Sequence, residues 1–303
     1  MRADSSPRKP ATRARLAVVV AGLLFSTGGA AIKLTAFNPW QVAGFRALLA
    51  AAALLVLFPA ARRRFDRRVF VVGVAYAACF LTFVHANKLT TAASAVFLVS
   101  AAPLYLLFLG PLVLGERVRR SDPVYLAVLA LGLSCFYFAT DRPSASAPDP
   151  FLGNVVAGAG GLAWALSLLG LRWMERYEGR SPGVMVAAVV YGNLITFAVS
   201  LPFSLAGIGQ ATTEDWLVIG YLGLFQVGLA YVFLVPGVRG VSALEASLLL
   251  LLEPACSPLW AWWLHDERPG ALTLVGGAII LATLLVRIAT DSVRPGTPRR
   301  GAQ

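Results

Sequence analysis

Two ionisable side chains lie deep inside apolar stretches of this 303-residue sequence. Glu253 follows a run of leucines at 248–252, and Arg46 lies within the otherwise apolar run 42–58. If these runs cross a lipid bilayer, each charge costs roughly 2.5–3.5 kcal/mol to insert. Membrane proteins keep such costly residues where the side chain binds a ligand or a partner, so both are candidate functional residues.

Glu253 lies close to the predicted midplane of the bilayer. Its span begins near Ser242, and at about 1.5 Å per residue the carboxyl is roughly 16 Å deep. The low dielectric there favours the neutral acid over the carboxylate. Glu253 could therefore take up and release a proton, or meet the ammonium of a substrate. The alternative is a structural carboxyl that hydrogen-bonds to a neighbouring helix.

Arg46 lies in the second apolar span, roughly 10 Å from its outer end at about 1.5 Å per residue. A guanidinium keeps its proton in proteins and needs an acceptor. The functional interpretation is a contact with a substrate carboxylate. The alternative is a structural pair with a carboxylate or with helix carbonyls.

Prolines interrupt the same apolar regions. Pro103 and Pro254 remove the backbone hydrogen bonds to the carbonyls of Val99 and Leu250. A freed carbonyl can bind cargo, an ion or water where the backbone lines a cavity. A packing kink satisfied by neighbouring helices is the alternative. Pro258 is a third candidate for a helix break.

Further polar side chains inside apolar runs could line a pathway. Each of them alone is more often a helix–helix contact. The candidates, with the first choices leading, are Trp164, Gln226, Ser100, Tyr105, Tyr191 and Asn193.

Other charges lie near the ends of apolar runs and have simpler explanations. Lys33 is predicted to reach the interface with its long side chain. Glu245 lies at a helix start, where a carboxylate complements the helix dipole. Glu116 and Glu267 are predicted to anchor the ends of their spans beside the arginine that follows each of them.

These residues require helices that cross a membrane. The chain is 58% hydrophobic and only 14% charged, with a mean hydropathy of +0.72, and a soluble surface of this size carries far more charge. The apolar residues come in blocks of about 20, the length that spans roughly 30 Å of hydrocarbon. The first block is predicted to be a retained helix, because no clear cleavage site follows it. The ten predicted spans are 16–36, 39–60, 69–88, 92–114, 123–140, 151–171, 183–204, 216–236, 242–264 and 270–288.

The basic residues between the spans predict the orientation of the chain. All but five of the 26 Lys and Arg residues lie in the tails and in alternate connections that share one side. The exceptions are Lys33, Arg46, Lys88, Arg142 and Arg268. The positive-inside rule places that side and both termini in the cytoplasm, in the plasma (inner) membrane. The net charge of +11 therefore reflects topology, and no nucleic-acid partner is predicted.

No metal or cofactor site is predicted. Cys79, Cys135 and Cys256 fall inside apolar blocks without metal-type spacing, and they are interpreted as small buried hydrophobes. His85 and His265 match no metal motif. The sequence also lacks a P-loop, which argues against pumping driven by ATP within this chain.

Two halves of the chain resemble each other. Residues 22–25 (GLLF) match 161–164 (GLAW), and the spacing from Pro103 to Glu116 recurs from Pro254 to Glu267. Each half has an odd number of spans, so the second copy must be inserted upside down, an arrangement typical of transporters. The predicted class is all-α integral membrane, with ten transmembrane helices as two inverted five-helix repeats. The predicted divisions are a cytoplasmic tail at 1–15, repeats at 16–140 and 151–288, a linker at 141–150 and a cytoplasmic tail at 289–303.

Across residues 16–288 the chain resembles the drug/metabolite transporter superfamily, specifically its EamA-type ten-helix transporters. The motifs that carry the likeness are GLLFS at 22–26 with Lys33, GFRALL at 44–49, TAASA at 91–95 leading to Pro103 and LGE at 114–116, LEP at 252–254, and Asp266-Glu267. The chain departs from the family at Phe25, where Trp is common, and at His265-Asp266, where Leu-Gly is usual. The resemblance implies transport of small organic molecules, often export of amino acids or related metabolites.

The leading hypothesis is a secondary transporter that exports such metabolites by alternating access, with cargo bound near the midplane between the halves. Its partners would be a small-molecule substrate and the lipid bilayer, and the oligomeric state is not predicted. One alternative is a channel or facilitator for small solutes, or a transport fold kept as a receptor. Another is an intramembrane enzyme, although the sequence has no D-D-x-x-D, H-x-x-x-H or Ser/His/Asp grouping.

Overall fold

The structure is a computed structural model that describes residues 9–63, 66–115, 122–138, 143–178, 182–241, 246 and 249–293. Regular structure within these residues is helical, and a lone bridge between Ser144 and Ala147 is the only β-type pairing among them. The helices of the first half are α1 (Lys9–Ser26), α2 (Gly28–Lys33), α3 (Pro39–Leu57), α4 (Arg67–Leu89), α5 (Ala92–Ser100), α6 (Ala102–Leu114) and α7 (Asp122–Phe138).

The second half is built in the same way. Its helices are α8 (Pro150–Glu178), α9 (Pro182–Ser204), α10 (Thr213–Gly220), a π-helix (Tyr221–Leu229), α11 (Ala230–Gly240), α12 (Leu252–His265) and α13 (Ala271–Val293). Short 3₁₀ turns at Pro59–Arg63 and Ile208–Gln210 lie in two of the connections.

Many of these helices are long and apolar enough to cross a membrane. Six qualify among the described residues: Thr12–Lys33, Pro39–Leu57, Arg67–Leu89, Pro150–Met174, Gly183–Ser204 and Thr213–Val238. A seventh is added if Ala92–Leu106 and Phe108–Leu114, bent by 45°, count as one span. Among the other predicted spans, α12 has 14 residues, and the apolar stretches Pro123–Phe138 of α7 and Ala271–Val286 of α13 are shorter than the six. The chain is an all-helical, multi-pass membrane protein, and the number ten stays a prediction.

Polar caps start several helices at one end of the bundle. Asn38 accepts a hydrogen bond from the Gln41 amide while the Gln41 side chain accepts one from Asn38, a capping box that begins α3. Thr91 caps α5 in a similar way, and Thr212 with Asp215 forms a second capping box at α10. These caps satisfy amide groups that the helix itself leaves free.

Three predicted spans are interrupted within the described residues, and the ninth predicted span has a turn at Leu251, just before Pro254. The first breaks at Thr27, whose hydroxyl donates to the carbonyl of Leu24 and which precedes a Gly-Gly pair. The fourth breaks at Ala101, just before Pro103 starts a new helix. These breaks follow from local sequence, because Gly and Pro weaken or remove the continuous helical hydrogen-bond ladder.

The most extensive packing joins helices of the first half to helices of the second. Helix α4 packs on α8 and α9, α3 on α9 and the π-helix, α1 on α11, and α7 on α13. The largest core cluster lies within this set and includes Leu54, Val72, Tyr76, Val190 and Tyr231. Neither half is therefore a separate bundle.

Candidate functional site

Arg46 is the most unusual side chain in the bundle. It lies on α3, is 1% exposed, and its Nε, Nη1 and Nη2 atoms are all buried without a hydrogen-bond acceptor. Its guanidinium carbon lies 4.5 Å from the centroid of the Phe80 ring. Such a cation–π contact offsets only part of the cost of a buried charge, because burial of an unpaired ion costs several kcal/mol.

Helix α4 supplies the surroundings of Arg46. Tyr76, Cys79 and Phe80 are spaced three and four residues apart, so they share one face of the helix. Tyr76 stacks on Phe80 at 4.5 Å between centroids, and Trp164 of α8 meets Tyr76 edge-on at 6.4 Å. Trp164, a leading candidate from the sequence, therefore lies beside the side chains that surround Arg46.

Glu253 approaches the same region from the second half. It lies in the first turn of α12, is half-buried, and makes no hydrogen bond or ion pair with the described residues. The charges of Arg46 and Glu253 both act electrostatically on the buried Cys79 thiol, and the charge of Glu253 also acts on the Tyr231 hydroxyl. We call Arg46, Tyr76, Cys79, Tyr231 and Glu253 the central cluster. Its two charges do not pair with each other.

Gln226 lies in the π-helix, a form of helix that often occurs at functional sites. It is buried, its Nε2 donates to the Phe25 carbonyl at 3.4 Å, and its Oε1 has no donor among the described residues. In the same π-helix, the Tyr221 hydroxyl lies 2.7 Å from Thr27 Oγ1. The π-helix therefore contacts the break between α1 and α2.

The remaining polar candidates have different surroundings. The Tyr105 hydroxyl donates to the Gly158 carbonyl at 3.0 Å, and Asn193 Nδ2 donates to Val189 of its own helix at 2.8 Å. Ser100 is the last residue of α5, and Tyr191 packs against the largest core cluster.

The prolines occupy matching places in the two halves. Pro103 lies in the first turn of α6, after the break at Ala101, and Pro254 lies in the first turn of α12, after a turn at Leu251. Pro258 lies inside α12.

The prediction that Lys33 reaches the interface is wrong. Its side chain is 4% exposed, and its Nζ lies 2.7 Å from Glu267 Oε1. It also donates to the carbonyls of Thr90, at 2.7 Å, and Ser146. The carbonyls and the carboxylate together bind the ammonium inside the protein. These contacts replace the hydration that the ammonium would otherwise find at the interface.

The prediction for Glu267 is also corrected. Its partner is Lys33 and not Arg268, which instead contacts Asp266 at 3.3 Å in an exposed pair. Glu267 Oε2 accepts a hydrogen bond from the Ala92 amide at the start of α5, at 3.0 Å. The positive end of that helix favours the buried carboxylate. Glu116 and Glu245 lie outside the described residues.

Sequence reasoning missed a second polar cluster at this end of the bundle. Asp215 Oδ1 accepts from Thr35 Oγ1 at 2.7 Å and from the Ala36 amide at 2.8 Å, while Oδ2 accepts from Thr212. Lys88 Nζ donates to the Thr35 carbonyl at 2.6 Å. The Thr-x-x-Asp spacing at 212–215 signals the cap, but nothing in the sequence signals the contact with Thr35. We call the end of the bundle that holds Lys33, Lys88 and Glu267 the Lys33 end.

Described residues line a polar cavity and an apolar cavity. A polar one of about 430 Å³ lies at the Lys33 end, and it is lined by Thr91, Ser144, Ala145, Ser146, Ala147, His265, Asp266, Glu267 and Arg268. An apolar one of about 500 Å³ lies between α2, α10 and α12, and it is lined by Thr27, Ala31, Leu34, Leu217, Val218, Tyr221, Trp260, Trp263 and Leu264. Among the described residues, no three His, Cys, Asp or Glu side chains are grouped as metal ligands would be.

Comparison with known proteins fits this architecture. The model of the EamA-like transporter family matches residues 12–138 and again residues 151–288. An uncharacterized transporter of Archaeoglobus fulgidus is 27% identical over 89% of this chain and 94% of its own length. The uncharacterized transporter YdfC of Bacillus subtilis is 25% identical over 81% of this chain and 80% of its own.

A relative with a named cargo and a solved structure add to these matches. The pseudopaline exporter CntI of Pseudomonas aeruginosa is 25% identical over 71% of both chains. A solved crystal structure shares the fold, with a TM-score of 0.61 at 20% identity over 93% of this chain and 98% of the other. The family match covers most of the sequence, so the chain is a membrane transporter of small molecules and belongs to the EamA-like transporter family.

Proposed function

We propose that this protein is a secondary transporter that exports small organic metabolites, amino acids or related compounds, across the plasma membrane by alternating access. The cargo would bind at the central cluster, between the two halves. The observation that carries the proposal is the buried guanidinium of Arg46, which has no hydrogen-bond acceptor among the described residues.

A carboxylate cargo would supply what Arg46 lacks. The planar guanidinium has parallel N–H donors that match the two oxygens of a carboxylate. Phe80 already covers the guanidinium carbon, and this leaves the N–H groups as the atoms that need a partner. Leaving those donors unpaired is costly in the low dielectric of the bundle, so the empty protein is poised to bind an anion.

Glu253 would complete recognition of the cargo. It comes from the opposite half of the chain, acts electrostatically on the same Cys79 thiol as Arg46, and forms no hydrogen bond or ion pair with the described residues. A zwitterion would satisfy both charges at once, with its carboxylate at Arg46 and its ammonium at Glu253. In the absence of cargo, a proton would neutralise Glu253, which offers a route to proton coupling.

Other residues would line the pathway. Trp164 borders the central cluster through Tyr76, and Gln226 has an unused carbonyl oxygen inside the bundle. The helix breaks before Pro103 and Pro254 would let backbone carbonyls contribute, as in transporters with discontinuous helices.

An inverted duplication supports alternating access. The family model matches the chain twice, and the helix pairs keep their pattern when the halves are exchanged. When each helix is replaced by its equivalent in the other half, the contact of α4 with α8 becomes the contact of the span 213–240 with α1, and both are present. The contacts of α3 with α9 and of α7 with α13 join equivalent helices, so the exchange leaves them unchanged. Basic residues in alternate connections support cytoplasmic termini, so we assign the Lys33 end to the outer face.

Flux measurements test the proposal. Purified protein in proteoliposomes loaded with radiolabelled amino acids, organic acids or cationic solutes should release zwitterionic or anionic cargo with saturable kinetics. Liposomes that contain an Arg46→Met variant are the control for leak and should show no such release. If no member of a broad panel shows protein-dependent flux, the proposal fails. Flux that does not saturate would favour a channel.

A further inference from the structure

Helices α1, α2 and α12 meet along a seam of polar contacts that leads to the Lys33 end. Trp260 Nε1 donates to Ser26 Oγ at 2.9 Å. One turn further, His265 Nε2 lies 2.8 Å from the Ala30 carbonyl oxygen. The seam ends at the ion pair of Lys33 and Glu267. The first half thus holds the second by contacts spaced along a whole helix.

The ion pair joins more segments than these helices. Lys33 also bonds to Thr90, which follows α4, and to Ser146 in the linker. Glu267 also bonds to Ala92, the first residue of α5. Both side chains are nearly inaccessible, with exposures of 4% and 3%. A single pair of charges therefore holds the two halves and the linker together at one point.

Open space lies beyond this pair. The polar cavity of about 430 Å³ is bounded by Glu267 itself, by residues 144–147 of the linker and by His265. The central cluster lies on the other side of the seam, since Glu253 is at the opposite end of α12 from His265. At about 1.5 Å per residue, these two residues are roughly 18 Å apart along the helix axis.

We propose that the buried Lys33–Glu267 pair is the outer gate of the transporter, closed in this structure, and that cargo leaves through the polar cavity when the pair breaks. The assignment to the outer face rests on the proposed function. Opening separates α12 from α2 and breaks the hydrogen bonds of the pair to Ala92 of α5 and to Ser146 of the linker. The parted charges then meet the water of the cavity, which lowers the cost of separating them.

The accessibility of one native cysteine, Cys79, can report this movement. Cys79 belongs to the central cluster and is buried, and the only other cysteines are Cys135 and Cys256. A Cys135→Ser/Cys256→Ser protein keeps Cys79 as its sole thiol. The probe is 2-sulfonatoethyl methanethiosulfonate, a membrane-impermeant anion that Arg46 would attract. It is added to right-side-out vesicles for the outer face and to inverted vesicles for the inner face.

Breaking the gate should expose Cys79 from outside. Lys33→Met or Glu267→Gln in the single-cysteine protein should each raise the outer labelling rate at least about tenfold, because loss of one partner strongly destabilises a buried pair. The labelling rate from the inner face should fall as the outward-open population grows. The matched control is Glu214→Gln, which changes an exposed carboxylate in the first turn of α10 outside the lining of the polar cavity and should change neither rate.

Two results would contradict the proposal that this pair is the outer gate. One is an unchanged outer rate in both Lys33→Met and Glu267→Gln. The other is an equal rise at both faces, which would mean that the substitutions loosen the whole bundle. Labelling requires no cargo, so the gate can be tested even if the protein transports none of the tested solutes. Conversely, a negative labelling result would contradict the gate but not a measured flux.

Discussion

Arg46 and Lys33 are both buried cations, but their surroundings predict opposite effects of removing the charge. Arg46 has no hydrogen-bond acceptor in the described part of the chain, whereas Lys33 is bonded to Glu267 and to two carbonyls. We expect Arg46→Met to leave the thermal stability of the empty protein unchanged or higher, because an unpaired buried charge is removed. We expect Lys33→Met to lower the free energy of unfolding by about 3–5 kcal/mol, because Glu267 is left unpaired.

Thermal unfolding of both variants in one detergent measures this difference. The double variant Lys33→Met/Glu267→Met should recover most of the loss, since it leaves no orphaned charge. A large loss of stability in Arg46→Met would contradict our interpretation and would mean that the guanidinium is structural.

Glu253→Gln separates a proton site from a cargo site. Glutamine keeps the shape of the side chain but cannot bind and release a proton. If Glu253 carries the coupling proton, the variant should lose flux driven by a pH gradient but keep exchange of labelled for unlabelled cargo. Uptake that responds to the gradient as in the wild type would remove Glu253 from the coupling role. Loss of exchange as well would indicate that Glu253 binds the cargo ammonium.

The sequence could single out Arg46 and Glu253 because a charge in an apolar run is visible without a structure. It could not show that Arg46 lacks a partner, since that depends on Tyr76, Cys79 and Phe80 of another helix. The same limit explains the error at Lys33. Its carboxylate partner, Glu267, comes from the far end of the chain, and no local spacing links the two.

At the scale of elements, close helix packing depends on a few glycines. A Cβ at Gly192 of α9 would lie 2.4 Å from Tyr76 Cδ1 and 2.9 Å from its Cβ. Gly192→Ala should therefore push α9 away from α4 and reduce the free energy of unfolding by roughly 1–3 kcal/mol. Because Tyr76 belongs to the central cluster, transport should fall as well. Chemical or thermal unfolding and flux of the same variant measure both effects.

Gly220→Ala is the matched control for that substitution. Gly220 also lies in a helix of the second half, but no atom lies within 4 Å of the Cβ it would gain. Alanine there should stabilise the helix by about 0.4–1 kcal/mol, since it restricts the unfolded chain. Equal effects at both positions would show that backbone propensity, and not contact with Tyr76, controls the result.

Helix breaks were only partly predictable from sequence. Pro103 signalled the break at Ala101, because proline starts a helix more readily than it continues one. The break at Thr27 was not predicted, although Gly28 and Gly29 follow it directly. Gly28 also gives room to Gln226, since a Cβ would lie 2.6 Å from its Nε2. Such an approach between distant elements has no counterpart in the sequence.

At the scale of the whole molecule, the two halves depend on each other. The main partners of α1, α3 and α4 are α11, α9 and α8, which belong to the other half. A first half alone would expose its packing face to lipid and lose those van der Waals contacts, which drive helix association in membranes. We therefore expect that the two predicted repeats are not independently stable domains.

A split chain tests this dependence. Fragments 1–143 and 144–303, cut in the linker, should each fail to accumulate alone but should assemble and transport when they are produced together. A break in the connection removes only a modest loop-closure term, and it leaves Ser146 with the second fragment, where it can still accept a hydrogen bond from Lys33. Co-purification through a tag on one fragment, with flux of the recovered complex, is the measurement. A first fragment that accumulates alone and unfolds cooperatively would show instead that each half is a self-sufficient bundle, and the contacts between halves would then have to be secondary.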